Sequence, residues 1–593
     1  VYYSKIGGRL TKPPLQPIIL VRGGFSRRTT LVAKWRRRLA NGVWRAGRLW
    51  GVATIRPNHF PVILVSALSA GLLVLAFPSF GFAQDKRFGL FPLAWIALVP
   101  WLGLLPALSF RGALLSSLNL GFLFFAGLVY WVALFGYLPW ALLSLYQALF
   151  IAAAGVGIWL CRSLGRGWRI LAAASFWTLF EWLRGQGPFG FAQGRPFGFT
   201  WGWLGYCQSP WLDFIQLARI AGVPGLSFLI VLHNASLAEA IFSPVRSFRW
   251  RLAPLVTAWM LIAATVLMGR FGAYSARDGP SATLRVNTPA LQPRHSSLKV
   301  SVIQPSAREP RVEDVFHPWS VEDIRFHLSL LEGLTRQAAP AHPNLIIWPE
   351  SALPAILNRD LFLREQVGEI ARQSRAWLLL GAPFEDEEGN LYNSAFLFSP
   401  AGRITDRYDK VQLVPFGEFV PGRGWLPGLR YYPIRESDLT PGKGFHPLWM
   451  GSTGLGISIC FESIFPHISR SLVKHGAGLL VIITNDGWFK RTAAPAQHRQ
   501  MAVFRAVETG RWVARAASTG ISCVISPRGQ IVKEIGLFHR GVLTERAGLA
   551  RGDTLFVRHG DWFILAAAVL ALGCILRAFW LHPRHSDKAN LQH

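Results

Sequence analysis

Three short stretches carry residue types that could do chemistry together. The first is Gly454-Leu455-Gly456-Ile457-Ser458-Ile459-Cys460-Phe461-Glu462-Ser463, in which the alternation of Ile457 and Ile459 reads as a buried strand ending on a cysteine. A thiol placed where a strand turns is presented as a nucleophile. The second runs from Asn344 through an apolar strand to Trp348-Pro349-Glu350. The third is Tyr408-Asp409-Lys410, followed by Val414-Pro415-Phe416-Gly417-Glu418, which offers an ammonium and a second acid. Gathered around one carbonyl, these groups divide the work of acyl transfer. Glu350 would be the general base. Lys410, with a backbone N–H near Phe461, would stabilise the oxyanion. Cys460 would attack the carbonyl, its thiolate made accessible near neutral pH by the cation beside it. Glu418 and Glu462 would hold the lysine and shape the site.

Taken singly, each residue has a plainer reading. Glu350 could face solvent or cap a helix starting near Ser351, Lys410 could be a solvated surface charge, and Cys460 could be a small buried hydrophobe. Glu418 and Glu462 could be structural ion pairs. The order and context of the three stretches are more specific than any one of them.

The elements that must position them fall into two classes. The chain is 51% hydrophobic with 25 Trp and 41 Phe among 593 residues, too apolar for an ordinary soluble enzyme. Apolar segments of spanning length lie near 60–77, 90–107, 112–135, 138–160, 169–183, 223–242, 252–269 and 562–580. The fifth is short and carries Glu181. Arg111, Arg162, Arg166, Arg169, Arg246, Arg249 and Arg251 fall in loops on one side, as does a basic extension over 1–57 that is expected to be disordered. By the positive-inside pattern that side is cytoplasmic. Residues 58–270 then form a membrane domain of seven helices, and 271–297, rich in Pro, Ser, Arg and Gly, read as a linker. Residues 298–556 stand outside the membrane, 557–581 form an eighth helix, and 582–593 return as a cytoplasmic tail. Between 298 and 556, short apolar strands alternate with amphipathic stretches such as Val321 to Gln337 and Ala496 to Thr509, which implies an α/β domain.

Other features narrow the class. The net charge of +30 sits mostly beside apolar segments, where lipid attraction and topology account for it, so no nucleic-acid partner is expected. The five cysteines show no CxxC pair and His498 stands alone, so neither a metal nor a disulfide framework is expected. A near-repeat, Phe80-Gly-Phe-Ala-Gln84 and Phe189-Gly-Phe-Ala-Gln193, reads as a repeated loop insertion of little function.

The motifs together resemble the apolipoprotein N-acyltransferases, the membrane-bound branch of the nitrilase superfamily. The resemblance rests on Trp348-Pro349-Glu350-Ser351, Tyr392-Asn393-Ser394-Ala395, Tyr408-Asp409-Lys410, Leu413 to Glu418, Cys460-Phe461-Glu462-Ser463 and Asn485-Asp486-Gly487-Trp488-Phe489. Gln497-His498, Arg505 to Arg511, Thr519 to Ser522, Glu181-Trp182-Leu183-Arg184 and Leu204 to Gln208 extend it. It implies an α-β-β-α sandwich on an eight-helix membrane domain in the bacterial inner membrane, with the sandwich on the periplasmic side. It implies transfer of an acyl chain from a phospholipid to the α-amino group of the diacylglyceryl-cysteine of apolipoproteins, without a cofactor. Glu350, Lys410 and Cys460 are its implied triad, with Trp348, Glu418, Phe461 and Glu462 in support. Phe461 departs from the family's Tyr, and Lys490 from a small residue. The competing readings are a membrane-tethered amidase or nitrile hydrolase, which would use the same triad with water as acceptor, and a scaffold without activity, against which the intact triad argues.

Overall fold

The structure is a computed structural model that describes residues 59–78, 89–186, 198–243, 245, 247–271, 297–307, 320–353, 355–421, 438–550 and 552–581. The basic extension, both Phe-Gly-Phe-Ala-Gln segments, nearly all of the linker and the 582–593 tail lie outside the described residues.

The apolar half folds into helices, the form in which a backbone satisfies its own polar groups in hydrocarbon. In order these are α1 (His59–Ala76), α2 (Phe110–Leu128), α3 (Tyr137–Leu160), α4 (Arg166–Gln186), α5 (Ala218–Phe242) and α6 (Phe248–Phe271). Among the described residues, five helices are long and apolar enough to cross a membrane: α2, α3, α5, α6 and a last helix, Trp562–Trp580. The count of eight does not follow from them. The expected span at 90–107 is interrupted, running as a 3₁₀ turn over Phe91–Trp95, a six-residue helix over Val99–Leu104 and a second turn over Leu105–Ala107. Pro92, Pro100 and Pro106 explain the breaks, since each lacks an N–H and restarts a turn rather than continuing one. The expected fifth span, α4, buries Glu181 and Arg184. Arg184 Nη1 donates to Gln147 Oε1 and to the carbonyls of Phe199 and Trp201, at 3.0, 2.9 and 2.7 Å.

One side of the last helix is plainly built for lipid. Leu565, Val569, Leu572, Leu576 and Phe579 are 58–70% exposed and recur at helical spacing, while Ile564, Ala567, Ala571, Cys574 and Ala578 face the bundle. Large apolar side chains left in water forgo about 1.5–3 kcal/mol each, which a lipid surface recovers. Basic side chains collect at one end of the bundle. Arg169 pairs with Glu239 at 2.7 Å, Arg166 donates to the carbonyls of Trp250 and Arg251 at 2.8 and 3.0 Å, and Arg577 lies over the Trp168 ring.

The other half contains two six-stranded sheets. One is ordered β12-β1-β2-β3-β4-β5, from β1 (Ser297–Gln304), β2 (Leu345–Ile347), β3 (Trp377–Glu385), β4 (Leu391–Phe398), β5 (Ile404–Asp409) and β12 (Gly541–Gly548). The other is ordered β11-β10-β9-β8-β7-β6, from β6 (Leu448–Met450), β7 (Thr453–Ile459), β8 (Ala477–Thr484), β9 (Trp512–Ala517), β10 (Ser522–Ile525) and β11 (Ile531–Ile535). Strand alternation sets the layers. Val300, Ile347, Leu379 and Leu397 of the first sheet meet Ile457, Ile459, Val481 and Ile483 of the second in one buried core. On the far side of the first sheet, Ile346, Leu378 and Leu380 pack against α7 (Val321–Ala338) and α8 (Leu361–Ser374). On the far side of the second, Leu480 and Ile482 pack with α9 (Pro466–Lys474) and α10 (Ala494–Thr509), in a core that continues into the apolar helices. The result is an α-β-β-α sandwich seated on the helical bundle by its α9–α10 layer; the last helix is α11.

A buried glutamine holds the seat. Gln497 Oε1 accepts the indole N–H groups of Trp131 and Trp201 at 3.2 and 2.7 Å, and its Nε2 donates to the carbonyls of Pro78 and Leu128 at 2.8 and 3.2 Å. Each hydrogen-bonding site of the amide is thereby used, as burial of a polar group requires.

Candidate active site

β2 and β7 lie in parallel stretches of the two sheets, and both run out on the same side of the sandwich core. Cys460 is the first residue after β7 and adopts φ +52°, a left-handed conformation uncommon outside glycine. A strained residue of this kind persists only when its surroundings hold it. Glu462 supplies one such hold. Its Oε2 accepts Ile459 N–H at 2.8 Å, and its Oε1 accepts Tyr408 O–H, Val411 N–H and Gln412 N–H at 2.9, 2.8 and 3.1 Å. Glu462 therefore braces the Cys460 turn against the segment after Lys410, and its hydrogen bonds run to Tyr408 and backbone donors rather than to a lysine.

Glu350 is buried just beyond β2. Its Oε1 accepts from Asn393 Nδ2 at 2.8 Å and its Oε2 from the Asn485 N–H at 2.7 Å. Gly381 of β3 lets the strand pass close behind it, because a Cβ there would stand 2.7 Å from Glu350 Cα. Lys410 follows β5 and is 1% exposed, with Nζ 2.9 Å from Glu418 Oε1 and 3.6 Å from Glu350 Oε1. Asn393, which the sequence did not single out chemically, also donates to Glu418 at 3.0 Å, so one amide spaces the two carboxylates. Burial alone would lower the Lys410 pKa, but the Glu418 and Glu350 carboxylates outweigh it and raise it, which keeps the ammonium charged.

Cys460 is partly exposed, whereas Cys161, Cys207, Cys523 and Cys574 are buried. Burial pushes the Cys460 thiol up and the Glu350 carboxylate adds to this, with Lys410 opposing less strongly. These effects disfavour a thiolate at rest, which suits a base that takes the proton as the sulfur attacks. Glu350 and Lys410 are the charged groups that act on it most strongly. Such an arrangement can form a thioester from an acyl donor and release it to a second nucleophile.

Two further residues support the site from farther away. Trp348 does not wall the site; it belongs to the outer α7–α8 layer, where its indole N–H donates to Thr335 at 3.0 Å. It anchors the strand end that carries Glu350. His498 is not isolated, since its Nε2 lies 2.7 Å from Ser463 Oγ and its Nδ1 3.0 Å from Asp486 Oδ1. Its partners come from separate motifs, and no spacing in the chain announces that they meet.

The Phe461 ring packs edge-on against Phe465, with centroids 5.1 Å apart, in the core shared with the helical bundle. Phe461→Tyr is expected to keep steady-state turnover within about tenfold, or ~1.4 kcal/mol, if the backbone N–H rather than the ring is to serve the oxyanion. A larger loss would mean that the added hydroxyl cannot be housed there. Beside the site, Trp131 packs on Phe489 and Trp201 with centroids 4.8 and 5.0 Å apart, and Trp201 lies 5.7 Å from the His498 ring.

Comparison with known proteins agrees with both halves. Residues 69–236 match the apolipoprotein N-acyltransferase N-terminal domain, and residues 301–552 match carbon-nitrogen hydrolase. An apolipoprotein N-acyltransferase of Geobacter metallireducens is 35% identical over 542 residues, covering 88% of this chain and 96% of that protein. Those of Haemophilus ducreyi and Thermotoga maritima are 28% and 31% identical, covering 88% and 68% of this chain and 99% and 70% of theirs. Among solved structures, an amidase from Nesterenkonia sp. is 22% identical with a TM-score of 0.34, covering 46% of this chain and 97% of its own.

Proposed function

The chain belongs to the apolipoprotein N-acyltransferase family, and from that premise we propose that it moves a fatty acyl chain from a membrane phospholipid to the α-amino group of a diacylglyceryl-cysteine at the N-terminus of an apolipoprotein. The observation that carries this reading is the buried Glu350–Lys410–Glu418 cluster acting on a partly exposed Cys460, in a domain seated on apolar helices.

The reaction proceeds in two halves. Glu350 takes the thiol proton as Cys460 Sγ attacks the ester carbonyl of the phospholipid. The oxyanion is held by the Lys410 ammonium and the Phe461 N–H. Its collapse expels the lysophospholipid alkoxide, which receives the proton from Glu350, and leaves a thioester on Cys460. The substrate amine then attacks the thioester, gives its proton to Glu350, and Cys460 leaves as the thiol. The aromatic flank of Trp131, Trp201 and Phe489 supports an amine acceptor over water by keeping the approach apolar. Phospholipid supplied with a peptide bearing diacylglyceryl-cysteine should give the N-acyl peptide, and the same peptide with a blocked amine should not react. Free fatty acid as the main product with both peptides would favour the amidase reading.

The protein is a membrane protein. Its orientation, with the sandwich on the periplasmic face of the inner membrane, is supported by the gathering of Arg166, Arg169, Arg251 and Arg577 at one end of the bundle. Reporter fusions after Gly389 should behave as extracytoplasmic and fusions after Arg584 as cytoplasmic. A cytoplasmic signal at Gly389 would overturn the orientation and with it the lipoprotein substrate. The division into 58–270, 298–556 and 557–581 as membrane domain, catalytic domain and closing helix belongs to the same proposal.

A further inference from the structure

The turn after β8 serves both reacting groups. Its Asn485 N–H donates to Glu350 Oε2 at 2.7 Å. The next residue, Asp486, is wholly buried and reaches Cys460 from two sides. On the thiol side, Asp486 Oδ1 accepts the Thr484 hydroxyl at 3.0 Å, and Thr484 neighbours the Cys460 thiol with its oxygen left as an acceptor for the S–H, its one proton being spent on Asp486. On the carbonyl side, the Ser463 hydroxyl donates to the Cys460 carbonyl at 2.8 Å, so the His498 Nε2–H, 2.7 Å away, donates to Ser463 Oγ and Nδ1 accepts from Arg515 Nη2 at 3.2 Å. The same Arg515 Nη2 donates to Asp486 Oδ2 at 2.6 Å and so ties the carboxylate to the imidazole. Gly520 leaves room for that carboxylate, since a Cβ there would stand 2.4 Å from Oδ2.

Ser463, His498 and Asp486 follow one another in the order of a hydrolase triad, but Ser463 is wholly buried. The Cys460 carbonyl can only accept, so Ser463 spends its one proton there and takes a hydrogen bond from His498 Nε2–H. A serine used in this way holds the backbone instead of attacking a substrate. The backbone it holds is the left-handed turn at Cys460, the conformation most in need of support.

We propose that Asp486 is a positioning residue for the nucleophile, fixing the Cys460 thiol through Thr484 and the Cys460 carbonyl through Arg515, His498 and Ser463. The proposal rests on the reading of Cys460 as the acyl carrier. It divides the support of the turn into two independent braces: Glu462 secures the N–H of Ile459 before the turn, and the Asp486 network secures the carbonyl and sulfur of Cys460 itself.

The test uses the full chain in detergent micelles and two readouts. One is the rate at which iodoacetamide alkylates Cys460, followed by the mass of the Cys460 peptide with no lipid present. The other is kcat and KM for transfer. Thr484→Val removes a hydroxyl at nearly constant volume, Ser463→Ala removes the other, and Thr484→Ser keeps the first. Thr484→Val and Ser463→Ala should each slow alkylation and lower kcat by about tenfold, the order of one lost buried hydrogen bond, with KM nearly unchanged. Thr484→Ser should restore both readouts. Gly520→Ala, which presses on the Asp486 carboxylate while keeping every partner, should slow alkylation as well. Alkylation at the wild-type rate in Thr484→Val and Ser463→Ala would overturn the proposal, as would a loss in Thr484→Ser equal to that in Thr484→Val. Slowed alkylation in a protein whose wild type transfers no acyl chain would uphold the positioning role and reject the proposed transferase reaction instead.

Discussion

Cys460→Ala is expected to abolish transfer and any acyl-enzyme, with the fold retained. No neighbouring group can replace the sulfur. Ser463, three residues on, is wholly buried and its hydroxyl is committed to the Cys460 carbonyl. The other four cysteines are buried in the helical bundle or behind β10. Removing one partly exposed sulfur leaves the Glu462 brace in place, so the thermal midpoint should move little. Transfer at the wild-type rate in Cys460→Ala would end the assignment of Cys460 as the nucleophile.

Lys410→Met should be nearly as damaging, and for two reasons that separate experimentally. The ammonium is the cation 2.9 Å from Glu418 and 3.6 Å from Glu350. Its removal leaves two buried carboxylates joined only by the Asn393 amide. Breaking a buried pair in this way typically costs about 3–5 kcal/mol, so the thermal midpoint should fall. The loss of one oxyanion donor should lower the acylation rate by a further 10²–10³, of the order seen when such donors are removed elsewhere. Single-turnover acylation, measured well below the lowered midpoint, isolates the second effect. A protein that is destabilised but acylates normally would make Lys410 a structural cation and leave the Phe461 N–H as the main oxyanion donor.

Much of this site could be read before the fold was known, and the reason is local. Glu350 and Cys460 each follow an apolar strand that the sequence reveals directly, whereas Lys410 is legible from its motif and not from its strand, Ile404–Asp409. The helices over Val321–Ala338 and Ala494–Thr509 lie within two residues of the stretches expected, Val321 to Gln337 and Ala496 to Thr509. What the sequence hid is what depends on residues far apart. Asn393 bridging two carboxylates, Gln497 receiving two indoles from the helical bundle and the Ser463–His498–Asp486 chain each join separate elements. Trp348 misled for a related reason. It precedes Glu350 by two residues and so leaves its strand on the same face, but the turn at Pro349 carries the carboxylate inward while the indole stays with α7. The run at 90–107 is one apolar stretch by hydropathy, but three prolines divide it into short turns.

The central claim is that Cys460 carries the acyl group between two substrates, and the intact mass of the protein tests it most directly. After incubation with phospholipid alone, with no acceptor peptide, the wild type should gain the mass of one acyl chain. The gain should map to the Cys460 peptide, disappear on treatment with hydroxylamine, and be absent from Cys460→Ala. A wild-type protein that never gains the acyl mass yet transfers the chain once the peptide is added would contradict the account, since transfer would then pass directly from lipid to amine.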